Sequence, residues 1–180
     1  ENPENEATAS TFLALINNLQ KEYFDRKTSH EIPEIFYFLY RRARKLRDRY
    51  LDDENKMEAY ASAVFILAQN TAAKQPDFSL KLLKELAFIT MRHKNNFWIP
   101  ALMLKAICCY GRENRDSEFM AFLPFVLRIC GRLAKHENQD IKLLVIVLRF
   151  FAEFAADPVC RRNLQNKAED EEMFPLMAGE

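Results

Sequence analysis

Apolar residues return at helical spacing along almost the whole chain. Phe12, Leu15, Ile16, Leu19 and Tyr23 recur at three- and four-residue intervals, which predicts a first helix. Ser10 or Thr11 is placed to cap it, a hydroxyl satisfying an unpaired N–H of the opening turn, and leaves residues 1–9 as a polar leader. Polar groups at 26–31 interrupt the pattern. A second helix is predicted from near Pro33, whose fixed φ and missing N–H suit a first turn. There Ile32, Ile35, Phe36, Leu39, Ala43, Leu46 and Tyr50 form an unbroken apolar stripe. Asp52 to Glu54 supply an acidic start for a third helix. In it Met57, Tyr60, Ala61, Val64, Phe65 and Ala68 align, and Ala63, Ile66 and Leu67 widen the apolar face, as a central helix requires. Asp77, after Pro76, reads as the cap of a fourth, with Phe78, Leu82, Leu83, Leu86 and Ile89 inward. Asn95 and Asn96 mark a turn. A fifth helix over 98–110 is expected to end at Gly111, where a left-handed C-cap is cheap. Asp116 or Ser117 opens a sixth that runs to about Ala134 and that Pro124 should kink or split. A seventh spans 139–156, and Asp157-Pro158 starts a short eighth.

A shift of 41 residues lays the second half of the chain onto itself. Phe78 meets Phe119, Leu82 meets Leu123, Leu86 meets Leu127 and Ile89 meets Cys130. Leu102 then meets Leu143, Leu104 meets Val145, Ile107 meets Leu148 and Tyr110 meets Phe151, with no gap in the turn between. A period near 40 belongs to helical solenoids, in which each hairpin buries its face on its neighbours. The run from Leu148 through Phe150-Phe151-Ala152-Glu153-Phe154-Ala155-Ala156-Asp157-Pro158 to Leu164 resembles the junction between armadillo repeats. The glycine expected between the first two armadillo helices is missing, which favours HEAT-like hairpins. The fold expected is all-α, a right-handed α-solenoid-like stack of seven to eight helices. Residues 10–166 form its single domain, with 10–75 a divergent cap or first units and 76–166 the repeat pair; 167–180 is an acidic tail.

Composition narrows the possibilities. Only three glycines occur, too few for the hairpin turns of a β-rich domain or for a phosphate-cradling loop. Twenty-six basic and 26 acidic residues cancel, so no global field recruits nucleic acid or membrane. The longest apolar run, Leu143 to Leu148, is six residues, far short of a membrane span. No secretory signal is seen at the acidic start, which is Glu rather than Met and admits an excised fragment. Cys108, Cys109, Cys130 and Cys160 lie in apolar helical surroundings and read as buried free thiols of an intracellular protein, nuclear or cytoplasmic.

The sharpest local feature is a cluster of six cations against one acid: Arg41, Arg42, Arg44, Lys45, Arg47 and Arg49 around Asp48. It suits phosphates, nucleic acid or an acidic peptide; alternatively it is a solvated face, its arginines paired to Asp48, Asp52, Asp53 and Glu54. Trp98, the only tryptophan, reads as core, and as a partner's anchor wherever it is exposed. The armadillo resemblance implies a groove lined by the fifth and seventh helices, whose polar positions include Lys105, Lys142, Arg149 and Glu153. In the tail, Met173, Phe174, Leu176 and Met177 follow the acidic run Glu169 to Glu172, as a docking peptide, a segment that folds back over the end of the stack, or a disordered terminus. His30, His93, His136 and the four cysteines lack the paired short spacings of a zinc site, and no nucleophile elbow, P-loop or HExxH is present. The expectation is therefore a non-enzymatic adaptor without metal or cofactor, binding a peptide or helix of another protein within a larger complex. The alternatives are a nucleic-acid-associated module using Arg41–Arg49 and a structural homodimer; a membrane partner is not expected.

Overall fold

Residues 4–26, 34–134, 141–162 and 165 are described by the computed structural model of the protein. Among them seven α-helices are found: α1 (Glu4–Arg26), α2 (Glu34–Arg49), α3 (Glu54–Thr71), α4 (Pro76–Arg92), α5 (Trp98–Glu113), α6 (Ser117–Ala134) and α7 (Ile141–Phe154). The expected short eighth helix follows, described over 158–162, and the described residues contain no strand. The protein is all-α.

The elements lie where the periodicity places them; their ends differ in instructive ways. Helix α1 starts at Glu4 rather than at a Ser10 cap. The leader Glu4-Asn5-Glu6-Ala7 puts acids near the positive end of the helix dipole and adds a strong helix former, so a polar run need not be coil. Asp53 caps α3, its Oδ1 accepting from the Lys56 N–H at 3.0 Å. Gln75, and not Asp77, is the N-cap of α4, because Pro76 occupies the first helical position and sets the cap two residues earlier. Helix α6 runs unbroken through Pro124. Asp116 opens it by accepting from the Phe119 N–H at 2.7 Å, and Asp157 opens the last turn by accepting from Val159 and Cys160, both at 2.9 Å. Gly111 ends nothing: α5 continues through it to Glu113. It is glycine for want of space, since a Cβ would meet Phe119 Cε2 at 2.5 Å and Phe154 Cε1 at 2.8 Å.

Two compact units divide the chain, Glu1–Tyr110 and Gly111–Glu180. In the first, α3 is the central helix and packs against α1, α2 and α4. Its core comprises Leu13 and Ile16 of α1, Phe36 and Leu39 of α2, Met57, Tyr60, Val64 and Leu67 of α3, and Leu82, Leu83, Leu86 and Ile89 of α4. Ile35, at the start of the apolar stripe of α2, is exposed instead. Asn96 is buried and ties the start of α5 to α3: its amide donates to Glu54 and to Glu58, each at 2.6 Å, while its Oδ1 accepts from the Ile99 N–H at 2.8 Å. In the second unit α6 packs on α7, burying Phe119, Leu123, Leu127, Phe150 and Phe154. Cys108, Cys130 and Cys160 are buried, Cys109 half-buried, and none of the four is joined in a disulfide.

Candidate functional site

The cations of α2 serve two purposes, divided by helical spacing. Arg47 turns inward and donates to Glu85 of α4 and to its neighbour Asp48. Glu85 is buried and also accepts from the Tyr60 hydroxyl at 2.9 Å, with the Arg44 Nε at 3.8 Å. Among the acids near the cluster, Asp48 pairs with Arg47, Asp52 with Arg92, Asp53 with Lys56, and Glu54 with Asn96. Asp52 and Glu54 meet partners 40 and 42 residues away, which no local spacing reveals, whereas Lys56 reaches Asp53 within one helical turn.

Burial, assisted by the Glu85 charge, pushes the Tyr40 phenol up to about 12 and holds Tyr60 far above the ordinary tyrosine range. An unfolded tyrosine ionises near 10. The preference of the folded state for neutral phenols therefore stabilises it fully below pH 10, and that contribution fades as pH rises from about 10 to 12. A tyrosinate absorbance titration is expected to leave Tyr40 and Tyr60 un-ionised beyond pH 10. Their ionisation should coincide with loss of helical circular dichroism; all six tyrosines titrating together in a folded chain would contradict this.

Arg42, Lys45 and Arg49 lie on another face of α2, at i, i+3 and i+7, and all three are exposed. They rim a cleft of about 270 Å3 between the first half of α1 and the second half of α2, lined by Thr8, Ala9, Phe12, Arg42, Lys45, Leu46, Arg49 and Tyr50. Its floor is apolar, with Phe12, Leu46 and Tyr50 half-buried. The Arg49 guanidinium sits 5.8 Å from the centre of the Tyr50 ring. Arg41 is exposed and does not line the cleft. Sequence reasoning found the rim and missed the floor. The clue was the Phe12 stripe of the first helix, which an antiparallel hairpin carries back to the far end of the second.

The other anticipated residues are dispersed. Trp98 is exposed rather than core, because it stands in the first turn of α5 while Ile99 beside it takes the inward position; the Lys105 ammonium covers its ring at 5.2 Å. In the second unit Arg149 is exposed, and Glu153 accepts from Arg112, a bond that lowers the Glu153 carboxyl from its usual range. The Lys142 side chain and the tail residues Met173, Phe174, Leu176 and Met177 lie outside the described residues. Among the described residues no three of His, Cys, Asp and Glu group as metal ligands, and no helix is long and apolar enough to cross a membrane.

Fold and cleft together define a helical protein with a small, basic-edged apolar cleft on its first hairpin. No protein-family model, no curated protein and no solved structure matches the chain.

Proposed function

We propose that this chain is a protein-interaction module of helical-hairpin type, and that its α1/α2 cleft receives an acidic segment of a partner protein through one large apolar side chain. The observation that carries the reading is the combination in one place of an apolar floor with three exposed cations. An anchor side chain entering the floor gains roughly 1.5–3 kcal/mol from burial, and carboxylates beside it find Arg42, Lys45 and Arg49. A polyphosphate rail would use the cations but leave the floor wet, and two further arginines of the helix are drawn to Glu85. The repeat supports an armadillo- or HEAT-like origin: shifted by 41 residues, α4 covers the span of α6 and α5 that of α7 to within two residues.

Peptide display against the full chain is expected to select sequences that are acidic and carry Phe, Leu or Trp. Arg42→Glu with Lys45→Glu and Arg49→Glu should weaken a selected peptide at least tenfold, about 1.4 kcal/mol, and Phe12→Ala should do likewise. Selection of neutral peptides indifferent to these changes would sink the proposal. Binding of duplex DNA with a salt slope near −0.9 per phosphate, abolished by the charge reversals, would replace it with the nucleic-acid reading.

A further inference from the structure

Helix α7 leaves uncovered what α5 keeps buried at the matching positions. In the 41-residue register Leu104 and Ile107 of α5 correspond to Val145 and Leu148 of α7. The first pair are 0% exposed, whereas Val145 is 54% and Leu148 is 64% exposed. Arg149 and Ala152 are exposed as well, and positions 145, 148, 149 and 152 share one helical face. The face carrying Val147, Phe150 and Phe154 is the buried one. Beyond α7, Val159 is 59% exposed, and Arg161 and Arg162 are exposed. The result is an apolar strip with cations beside it, inside the second unit.

We propose that this strip is the docking site of the chain's own segment 169–177. The segment carries both halves of the required chemistry: Glu169, Asp170, Glu171 and Glu172 for Arg149, Arg161 and Arg162, then Met173, Phe174, Leu176 and Met177 for Val145 and Leu148. It is also close by along the chain. From Gln165 to Phe174 an extended backbone reaches roughly 30 Å, about twice the ~14 Å rise along a helix from Val145 to Phe154. The order of the two halves fits as well, since the acids come first and the nearest exposed arginines in sequence are those at 161 and 162. Covering apolar surface that is otherwise wet supplies the driving force, and the ion pairs select this segment over other apolar sequence.

The test uses the full-length chain with benzoylphenylalanine, a photo-crosslinking residue, in place of Val145. Irradiated at low concentration, it is expected to give an adduct of monomer mass, which peptide mass spectrometry places within 169–177. An adduct of dimer mass would assign the strip to a second copy, and absence of any tail adduct would leave it open; either overturns the proposal. Independently, Leu148→Ser and Phe174→Ser in the full chain should each raise apolar-dye fluorescence roughly twofold. The double variant should do no more than either alone, because both release the same contact. Additive increases would show that the two residues do not meet.

Discussion

Glu85→Ala is expected to cost about 3–5 kcal/mol of stability, the usual penalty for removing one partner of a buried ion pair. The carboxylate is 7% exposed and holds Arg47 and the fully buried Tyr60 hydroxyl together. Without it, a guanidinium with 12% side-chain exposure keeps only its bond to Asp48, and a phenol inside the core loses its acceptor. Arg47 also stacks over Phe88 at 5.3 Å, so its displacement disturbs packing as well as charge. Glu85→Gln retains an acceptor and should lose less. Replacing Arg47 and Glu85 together with Met and Leu should recover much of the loss, because no orphaned charge remains. Trp98 is the sole tryptophan and belongs to the first unit, so its fluorescence during urea unfolding reports the unit concerned. A midpoint unchanged by Glu85→Ala would show that water satisfies this network.

Gly111→Ala is expected to destabilise by about 2 kcal/mol, the reverse of what the exchange does in an ordinary helix. Elsewhere it gains about 1 kcal/mol through backbone entropy. Here the added methyl would lie 2.5 and 2.6 Å from Phe119 ring atoms and 2.8 Å from one of Phe154. Both rings are 0% exposed and pack with centroids 5.2 Å apart, so neither can swing into solvent. Overpacking of this kind costs about 1–3 kcal/mol, towards the upper end where two rings from different helices must move. Phe119→Leu should partly rescue the variant, a non-additivity measurable by circular dichroism in a double-mutant cycle. Stabilisation by Gly111→Ala alone would mean that the rings yield without cost.

The two predictions also show where local reasoning reaches its limit. Gly111 resembles a helix terminator in sequence, since a glycine follows the last apolar position of the fifth helix. Its actual constraint comes from Phe119 and Phe154, eight and 43 residues away. The Arg41–Arg49 cluster was visible as a charge run, yet its division into Arg44 and Arg47 facing Glu85 and Arg42, Lys45 and Arg49 facing a cleft needed α1 and α4 in place. Val145 and Leu148 align with the buried Leu104 and Ile107 of α5 and are nevertheless exposed, because matching period does not guarantee matching cover.

Helix number, helix order and the 41-residue register follow from the chain alone. They rest on backbone bonds between residues four apart and on the 3.6-residue return of side chains to one face, quantities that neighbours in sequence control. The central place of α3 was legible for the same reason, since its apolar positions wrap nearly the whole helix. Which carboxylate Arg47 meets, why Gly111 lacks a side chain, and where an apolar floor lies beneath a basic rim were decided by packing. Those outcomes depend on contacts between different helices, from eight residues apart for Gly111 and Phe119 to 43 for Gly111 and Phe154, which compete with local partners and are settled only when the helices close on one another.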